Sequence, residues 1–270
     1  MSEMDRQGGL TRREALAVGA AGAAGLIASP ALGMIGLDAP PALASAVTLT
    51  PEQEEGPYYV PIEQIRRNIV AGQLGVPLLL NVTVLDSTSG EPIQGAAVDV
   101  WQCNPLGVYS DESSEKTLGK TFLRGVQLTD ANGRARFVTL YPGHYAGRAT
   151  HIHAKVHIAG AVSGGAYSGG HVSHTGQMFF DDAISTSVYR LDPYSGDTAT
   201  RVLNSADRVY AQQGGARSEL KLHRRAGKLA KAGFSGSIAL AVDPSATPAA
   251  VGVSGAGSGT PSAGGEPPKR

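Results

Sequence analysis

The residues with the clearest chemical potential are two histidines separated by one residue, His151 and His153. From Ala154 to Ile158 the chain alternates apolar and polar side chains, which predicts a β-strand. On a strand, residues i and i+2 point to the same face, with α-carbons about 6.5 Å apart. The two imidazoles can therefore bind one metal ion. A pair of this kind can also consist of surface histidines or of hydrogen-bonded core histidines.

Two tyrosines occupy positions from which they could join this pair. Tyr145 follows a Pro142-Gly143 turn just before the histidines, and Tyr109 follows a strand-like run at 98–102. Two phenols and two imidazoles form a hard, anionic donor set suited to ferric iron. Taken singly, each tyrosine could equally be a core or rim aromatic residue, so the set depends on its surroundings.

Those surroundings carry a family resemblance. The segments WQCNPLGVYSD, FLRGVQLTDANGRARFVTLYPGHYAGRATHIH and HTGQMFF occur in this order, and together they resemble the intradiol ring-cleavage dioxygenases, non-haem iron(III) enzymes that open catechols. The similarity extends over about Pro51 to Pro244. It implies one Fe(3+) per chain, a small aromatic diol and O2 as partners, and a monomer or homodimer. The implied product is a cis,cis-muconate-type diacid, formed when O2 is inserted between the two hydroxylated carbons.

The resemblance also implies roles for individual residues. The implied iron ligands, matched by position to the family's motifs, are Tyr109, Tyr145, His151 and His153. Tyr145 is the ligand that substrate would displace, and Arg148 and Gln177 match the other catalytic positions. Pro57, Tyr58 and Arg148 are candidates for contact with substrate. The family often has Pro-Ala between the arginine and the first histidine, where this chain has Ala149-Thr150, a difference that bears on substrate preference.

Two other functions are compatible with parts of this pattern. One is a non-catalytic secreted β-sandwich that binds a partner, in which the histidine pair is incidental. The other is a copper or zinc site of the kind found in cupins or superoxide dismutases. The cupin pattern requires a glutamate shortly after the pair, and residues 155–160 contain none. The dismutase interpretation leaves Tyr109, Tyr145 and Arg148 unexplained.

Composition narrows the possible partners. The 270-residue chain has 23 basic and 23 acidic residues, so no overall charge attracts nucleic acid or a membrane surface. Its single cysteine, Cys103, excludes an internal disulfide framework. The 36 glycines and 6% aromatic content are typical of a loop-rich β protein.

The fold expected from the pattern of short apolar segments is all-β. Strand-like segments at 78–86, 97–102, 125–129, 135–141 and 233–242 are separated by turn residues, without convincing long helices. This spacing predicts a β-sandwich of mostly antiparallel strands. The Asp130-Ala131-Asn132-Gly133 turn predicts a hairpin between two of the strands, with the glycine at positive φ.

The ends of the chain differ from its middle. Residues 1–46 contain Arg12-Arg13 followed by an apolar, small-residue run at 15–28, which predicts a cleaved twin-arginine-type signal peptide. That signal would export the folded protein out of the cell, with no membrane anchor after processing. The alternative is an uncleaved membrane anchor, for which the apolar run is short and only weakly hydrophobic. Residues 47–244 would form the dioxygenase domain. Residues 245–270 are rich in Ala, Gly, Ser and Pro and are expected to be a disordered tail.

Overall fold

The computed structural model describes residues 46–61 and 64–252. The strands are β1 Pro77–Asp86, β2 Ala97–Trp101, β3 Arg124–Leu128, β4 Arg134–Leu140, β5 His151–Ile158, β6 Ala161–Ser163, β7 Ala166–Ser168, β8 His171–Phe179, β9 Lys221–Arg224 and β10 Phe234–Val242. The helices are α1 Asp182–Val188, α2 Arg208–Gln212 and α3 Leu229–Ala232.

One sheet has the strand order β4-β1-β10-β9. Strand β1 pairs antiparallel with β4 and parallel with β10, and β9 lies antiparallel at the edge. Alternate side chains of β1 are fully buried, and these are Leu78, Leu80, Val82 and Val84. The strong period-two pattern of this strand therefore places one face of the sheet against the core.

A second four-stranded sheet has the order β3-β2-β5-β8, and all of its pairs are antiparallel, while β6 and β7 pair as a separate two-stranded sheet. Its inward-facing residues, including Val98, Val100, Ile152, Ala154 and Val156, belong to the same hydrophobic core as the buried side chains of β1. Two sheets that share one core form a sandwich. The predicted all-β fold is thus confirmed.

The predicted hairpin around residues 130–133 is wrong. The turn itself forms, with Gly133 at φ 68° and its N–H bonded to Asp130 O at 2.8 Å. The strands on either side, however, enter different sheets: β3 pairs with β2, and β4 pairs with β1. The turn residues fix a reversal of the chain but do not determine whether the returning strand pairs with its predecessor or crosses the sandwich.

The outer face of the second sheet is where the candidate site lies. Because Ile152 and Ala154 point into the core, His151, His153, Lys155 and His157 point to the opposite face of β5. An extended N-terminal arm, residues 46–61, crosses this face, with Gln53 N–H bonded to Thr175 O on β8 at 2.9 Å. All four of these β5 side chains are buried, although they lie outside the sandwich core.

The predicted end segments fall largely outside the described residues. Of the predicted signal peptide, only its last residue, Ala46, is described. Of the predicted tail, residues 245–252 are described and continue without helix or strand. No helix within the described ranges is long and apolar enough to cross a membrane.

Candidate metal centre

The histidine pair on β5 converges through its ring nitrogens. His151 Nε2 and His153 Nε2 lie 3.0 Å apart, and both side chains are buried. His151 Nδ1 lies 2.7 Å from Ala149 O, which fixes the tautomer that carries the proton on Nδ1 and leaves Nε2 as a lone-pair donor. The ring of His153 stacks on Trp101, with centroids 4.7 Å apart. Neighbours on both sides therefore hold the two rings in place.

Tyr145 reaches this pair from the loop between β4 and β5. Its Oη lies 3.3 Å from His151 Nε2 and 3.5 Å from Arg148 Nη1. Gly147, at φ 80°, and a hydrogen bond from Arg148 N–H to Tyr145 O close a tight turn between the tyrosine and the arginine. This turn brings both side chains to the start of β5, next to the histidines.

Tyr109 approaches from the long loop between β2 and β3. Its ring lies 5.6 Å from that of Tyr145 and 6.3 Å from that of His153, measured between centroids. Arg124, at the start of β3, supports this loop with hydrogen bonds to Ser110 O and Ser110 Oγ at 2.7 and 2.8 Å. The same guanidinium donates to Tyr58 O at 2.7 Å, so the loop is tied to the N-terminal arm. The structure thus brings all four predicted ligands into one cluster.

The electrostatics of the cluster favour neutral side chains in the absence of a bound cation. Burial lowers the pKa of His151 to about 3, with a further contribution from the Arg148 guanidinium. Burial likewise lowers the pKa of His153 and raises the pKa of Tyr109 well above its usual range. Burial also raises the pKa of Tyr145, and the positive charge of the Arg148 guanidinium partly offsets this increase. Each phenol would need a cation beside it to ionise at neutral pH.

These residues fit a ferric ion. Tyr109 Oη is buried and has no hydrogen-bond partner among the described residues, although a buried hydroxyl is costly without one. The Nε2 atoms of both imidazoles face the same point as the Tyr145 hydroxyl. Phenolate oxygens and imidazole nitrogens together suit a hard trivalent metal. Within the described ranges no three His, Cys, Asp or Glu side chains form a potential metal site.

A polar pair adjoins the cluster. Arg148 Nη2 donates to Gln177 Oε1 at 2.5 Å, and Gln177 lies directly opposite His153 in the pairing of β8 with β5. Gln177 Nε2 donates to Glu54 O at 2.8 Å. A cation and an amide are thereby fixed beside the point where the ring nitrogens and phenols meet, as a site that develops negative charge requires.

The two substrate-contact candidates on the arm differ in their surroundings. Tyr58 is nearly buried, stacks on Tyr109 with centroids 4.3 Å apart and packs edge-on against Tyr145 at 5.4 Å. Pro57 is exposed. Gly56, just before them, has φ 77°, and a Cβ there would lie 3.2 Å from His153 Cε1. The arm therefore closes over the cluster where only a glycine fits without strain.

Several supporting residues could not be identified as such from the sequence. Asp207 accepts hydrogen bonds from Arg148 Nε and Ala149 N–H at 2.9 and 2.7 Å, and Arg124 anchors the Tyr109 loop. Asp207 precedes a short apolar stretch, which signals a helix N-cap. Its contact with an arginine 59 residues away depends on the fold and has no local signal.

Comparison with known proteins is consistent with this geometry. A protein-family model described as "Dioxygenase" matches residues 54–184. The solved structure of an intradiol ring-cleavage dioxygenase from Tetranychus urticae is similar over 75% of this chain and 98% of its own, with 32% identity and a TM-score of 0.66. The chain belongs to the intradiol ring-cleavage dioxygenases. This family assignment agrees with the resemblance carried by the sequence motifs and favours it over the binding-module and copper or zinc interpretations.

Curated dioxygenases match over shorter segments. A catechol 1,2-dioxygenase of Candida albicans is 34% identical over 126 residues, which are 42% of this chain and 39% of that protein. A protocatechuate 3,4-dioxygenase beta chain of Burkholderia cepacia is 38% identical over 90 residues, which are 30% of this chain and 38% of that one. In both cases the matched region is less than half the length of the relative.

Proposed function

We propose that this family member is an iron(III) enzyme that inserts O2 into a catechol-type diol and opens the ring between the two hydroxylated carbons. The observation that carries the proposal is the convergence of Tyr145 Oη, His151 Nε2 and His153 Nε2 beside the unpartnered phenol of Tyr109. The names of the matched relatives support a catechol or protocatechuate type of substrate.

Four side chains would hold the iron: Tyr109, Tyr145, His151 and His153. When bound, ferric iron would supply Lewis acidity toward both diol oxygens and a route for electron density from the ring to O2. The phenols would bind as tyrosinates, because a trivalent cation offsets the burial that raises their pKa values. The Nδ1–H of His151, held by Ala149 O, keeps the other ring nitrogen free as a donor.

Tyr145 and Arg148 would handle protons and charge. Tyr145 is the less buried of the two phenols, so it is the one that substrate can displace and that can accept a proton from the diol. Arg148 lies 3.5 Å from the Tyr145 hydroxyl and would stabilise negative charge on the ring-derived oxygens. Gln177, bonded to Arg148, would orient the reacting groups.

The nearby arm would form one wall of the substrate site. Tyr58 lies beside both phenols, stacked on Tyr109, and would contribute an aromatic side chain to this wall. Pro57, being exposed, would contact a substituent that projects from the ring. Both assignments follow the prediction from the sequence that Pro57 and Tyr58 contact the substrate.

Iron loading followed by an oxygen-uptake screen tests the proposal. The purified chain, loaded with ferric iron, is assayed with catechol, protocatechuate and hydroxyquinol, and the product is checked as a cis,cis-muconate-type diacid. The loaded protein should show a visible tyrosinate-to-iron band, which Tyr109→Phe should shift or abolish together with the activity. A colourless loaded protein that consumes no oxygen with any of the three diols would rule the proposal out.

We also propose that the protein acts outside the cell as a monomer or homodimer. The support for export is the Arg12-Arg13 pair followed by the apolar run at 15–28. Replacement of both arginines by lysine should retain the protein inside the producing cell, as measured by fractionation of cells and medium. An unchanged distribution of the protein between cells and medium would rule out export by the twin-arginine route.

A further inference from the structure

A buried carboxylate lies behind the Arg148 guanidinium. Asp207 has no exposed side-chain surface and accepts four hydrogen bonds. One oxygen, Oδ2, receives Arg148 Nε–H at 2.9 Å and Ala149 N–H at 2.7 Å. The other, Oδ1, receives the N–H groups of Val209 and Tyr210, the first turn of helix α2, at 2.8 and 3.0 Å. One side chain thus joins the start of α2 to the loop that carries Arg148.

The Arg148 guanidinium makes contacts on two edges, one with Asp207 and one with the cluster. The Nε side is held by Asp207, while Nη1 faces Tyr145 Oη at 3.5 Å and Nη2 faces Gln177 Oε1 at 2.5 Å. An arginine side chain has many rotamers, so a fixed donor direction requires an anchor on the edge that does not face the site. Asp207 is the carboxylate at that edge, and the bond to Ala149 N–H fixes the adjacent backbone as well.

The segment that contains Asp207, residues 207–213, also supports Gln177, through Glu54. Gln177 N–H donates to Gln53 Oε1 at 2.6 Å, and its side-chain amide donates to Glu54 O at 2.8 Å. Glu54 is in turn bonded through its carboxylate to Arg208 and through its backbone N–H to Gln213 Oε1. Residues 207–213, which contain no predicted iron ligand, therefore hold both members of the polar pair.

We propose that Asp207 is a positioning residue for the dioxygenase reaction, which aims the Arg148 guanidinium at the reacting oxygens through the Nε–H bond. This role rests on the proposed function. Asp207 would touch neither the iron nor the substrate, and its effect on ring opening would pass through the Arg148 guanidinium and the Ala149 backbone beside it. Loss of the carboxylate should therefore slow the reaction without changing how the iron is bound.

The test replaces the carboxylate while keeping the helix cap. Asp207→Asn is isosteric but turns one acceptor into a donor, and Asp207→Ser retains a residue that caps helices but is too short to reach Arg148. Each is compared with Arg148→Ala and with the corresponding double variant in iron-loaded protein. The matched control is Asp181→Asn, because Asp181 caps α1 through Ile184 N–H at 2.8 Å and makes no hydrogen bond to the cluster among the described residues.

The expected result is a fall in kcat of about 100-fold for Asp207→Asn and Asp207→Ser, with wild-type iron content and an unchanged visible band. Each double variant should be no slower than Arg148→Ala alone, which a merely structural role would not produce. Asp181→Asn should keep the wild-type kcat.

Three results would overturn the positioning role while wild type is active. They are a wild-type kcat in both Asp207 variants, additive losses in the double variants, and an equal loss in Asp181→Asn. If one Asp207 variant fails to fold, the other still decides the matter. If iron-loaded wild type opens no catechol, the proposed function fails first and the positioning role fails with it.

Discussion

At the scale of single residues, Gly56 shows how closely the arm packs on the proposed ligands. Its φ of 77° is unfavourable for any side chain with a Cβ, and that Cβ would lie 3.2 Å from His153 Cε1. Gly72 provides a natural comparison, because its φ is 80° but a Cβ there would meet nothing within 4 Å. A comparison of alanine substitutions at these two positions therefore distinguishes the effect of backbone strain from the effect of steric contact with His153.

We therefore expect Gly56→Ala and Gly72→Ala to lower the free energy of unfolding by similar amounts, about 1–2 kcal/mol, from backbone strain. Only Gly56→Ala should also displace the His153 ring, and it should lower ferric-ion affinity by about tenfold. Chemical denaturation and an iron titration followed by the visible band measure the two effects. Equal iron affinities in the two variants would show that the arm does not constrain His153.

At the scale of elements, strand β5 carries two patterns at once. Its odd-numbered positions supply the histidines and its even-numbered positions supply core residues, so period two alone predicted both the strand and the convergence of His151 with His153. The register shift against β8 between Val156 and His157 could not be predicted, because a bulge depends on the partner strand. The failed hairpin at 130–133 has the same cause, since local turn residues do not specify the pairing partner.

His157, which lies beside this register shift, is buried, and its burial has a consequence for acid stability. Burial and the neighbouring Lys155 ammonium lower the pKa of His157 to about 4 from its usual 6.5. The unfolded chain binds a proton near pH 6.5 and the folded chain only near pH 4. The stability that neutral His157 contributes to the folded state is therefore fully present above about pH 6.5. It is lost as pH falls toward 4, which lowers the free energy of unfolding by up to about 3 kcal/mol.

The variant that tests this is His157→Phe, which keeps a ring against Tyr167 but cannot be protonated. The free energy of unfolding of iron-free protein, measured by denaturant titration at pH 7.5 and pH 5, should differ less between the two pH values than in wild type. His151 and His153 are present in both proteins, so the comparison isolates His157. His223→Phe, at an exposed position of β9, is the control. An identical pH dependence in His157→Phe and wild type would contradict the expectation.

At the scale of the whole molecule, the sequence predicted the donor types and the sandwich but not what holds the donors together. The four proposed ligands lie in recognisable motifs, and each motif is local. Arg124, which ties the Tyr109 loop to Tyr58, and Asp207, which holds Arg148, act across separations of 66 and 59 residues. A buried arginine or aspartate has no sequence pattern that names its partner, because the partner is determined by the packing of distant segments.

The same long-range assembly makes iron binding a measure of global folding. The proposed ligands come from the loop after β2, the loop after β4 and strand β5, so the unfolded chain has no preformed site. Ferric ion present at about 100 times its dissociation constant should stabilise the folded state by about 2.7 kcal/mol. For a domain of this size, that corresponds to a rise in Tm of about 5–10 °C. A ferric chelator should reverse the rise.

Two histidine variants distinguish this site from adventitious binding. His153→Gln removes a proposed ligand and should abolish the rise in Tm on addition of iron, whatever its effect on the iron-free protein. His171→Gln, in which the amide can still donate to Pro244 O as the His171 ring nitrogen does, lies at the far end of the β5–β8 pairing from His151 and should keep the full rise. Because only the iron-dependent change is compared, loss of packing in either variant cancels. A rise that persists in His153→Gln, or disappears equally in both variants, would place the bound iron somewhere other than this cluster.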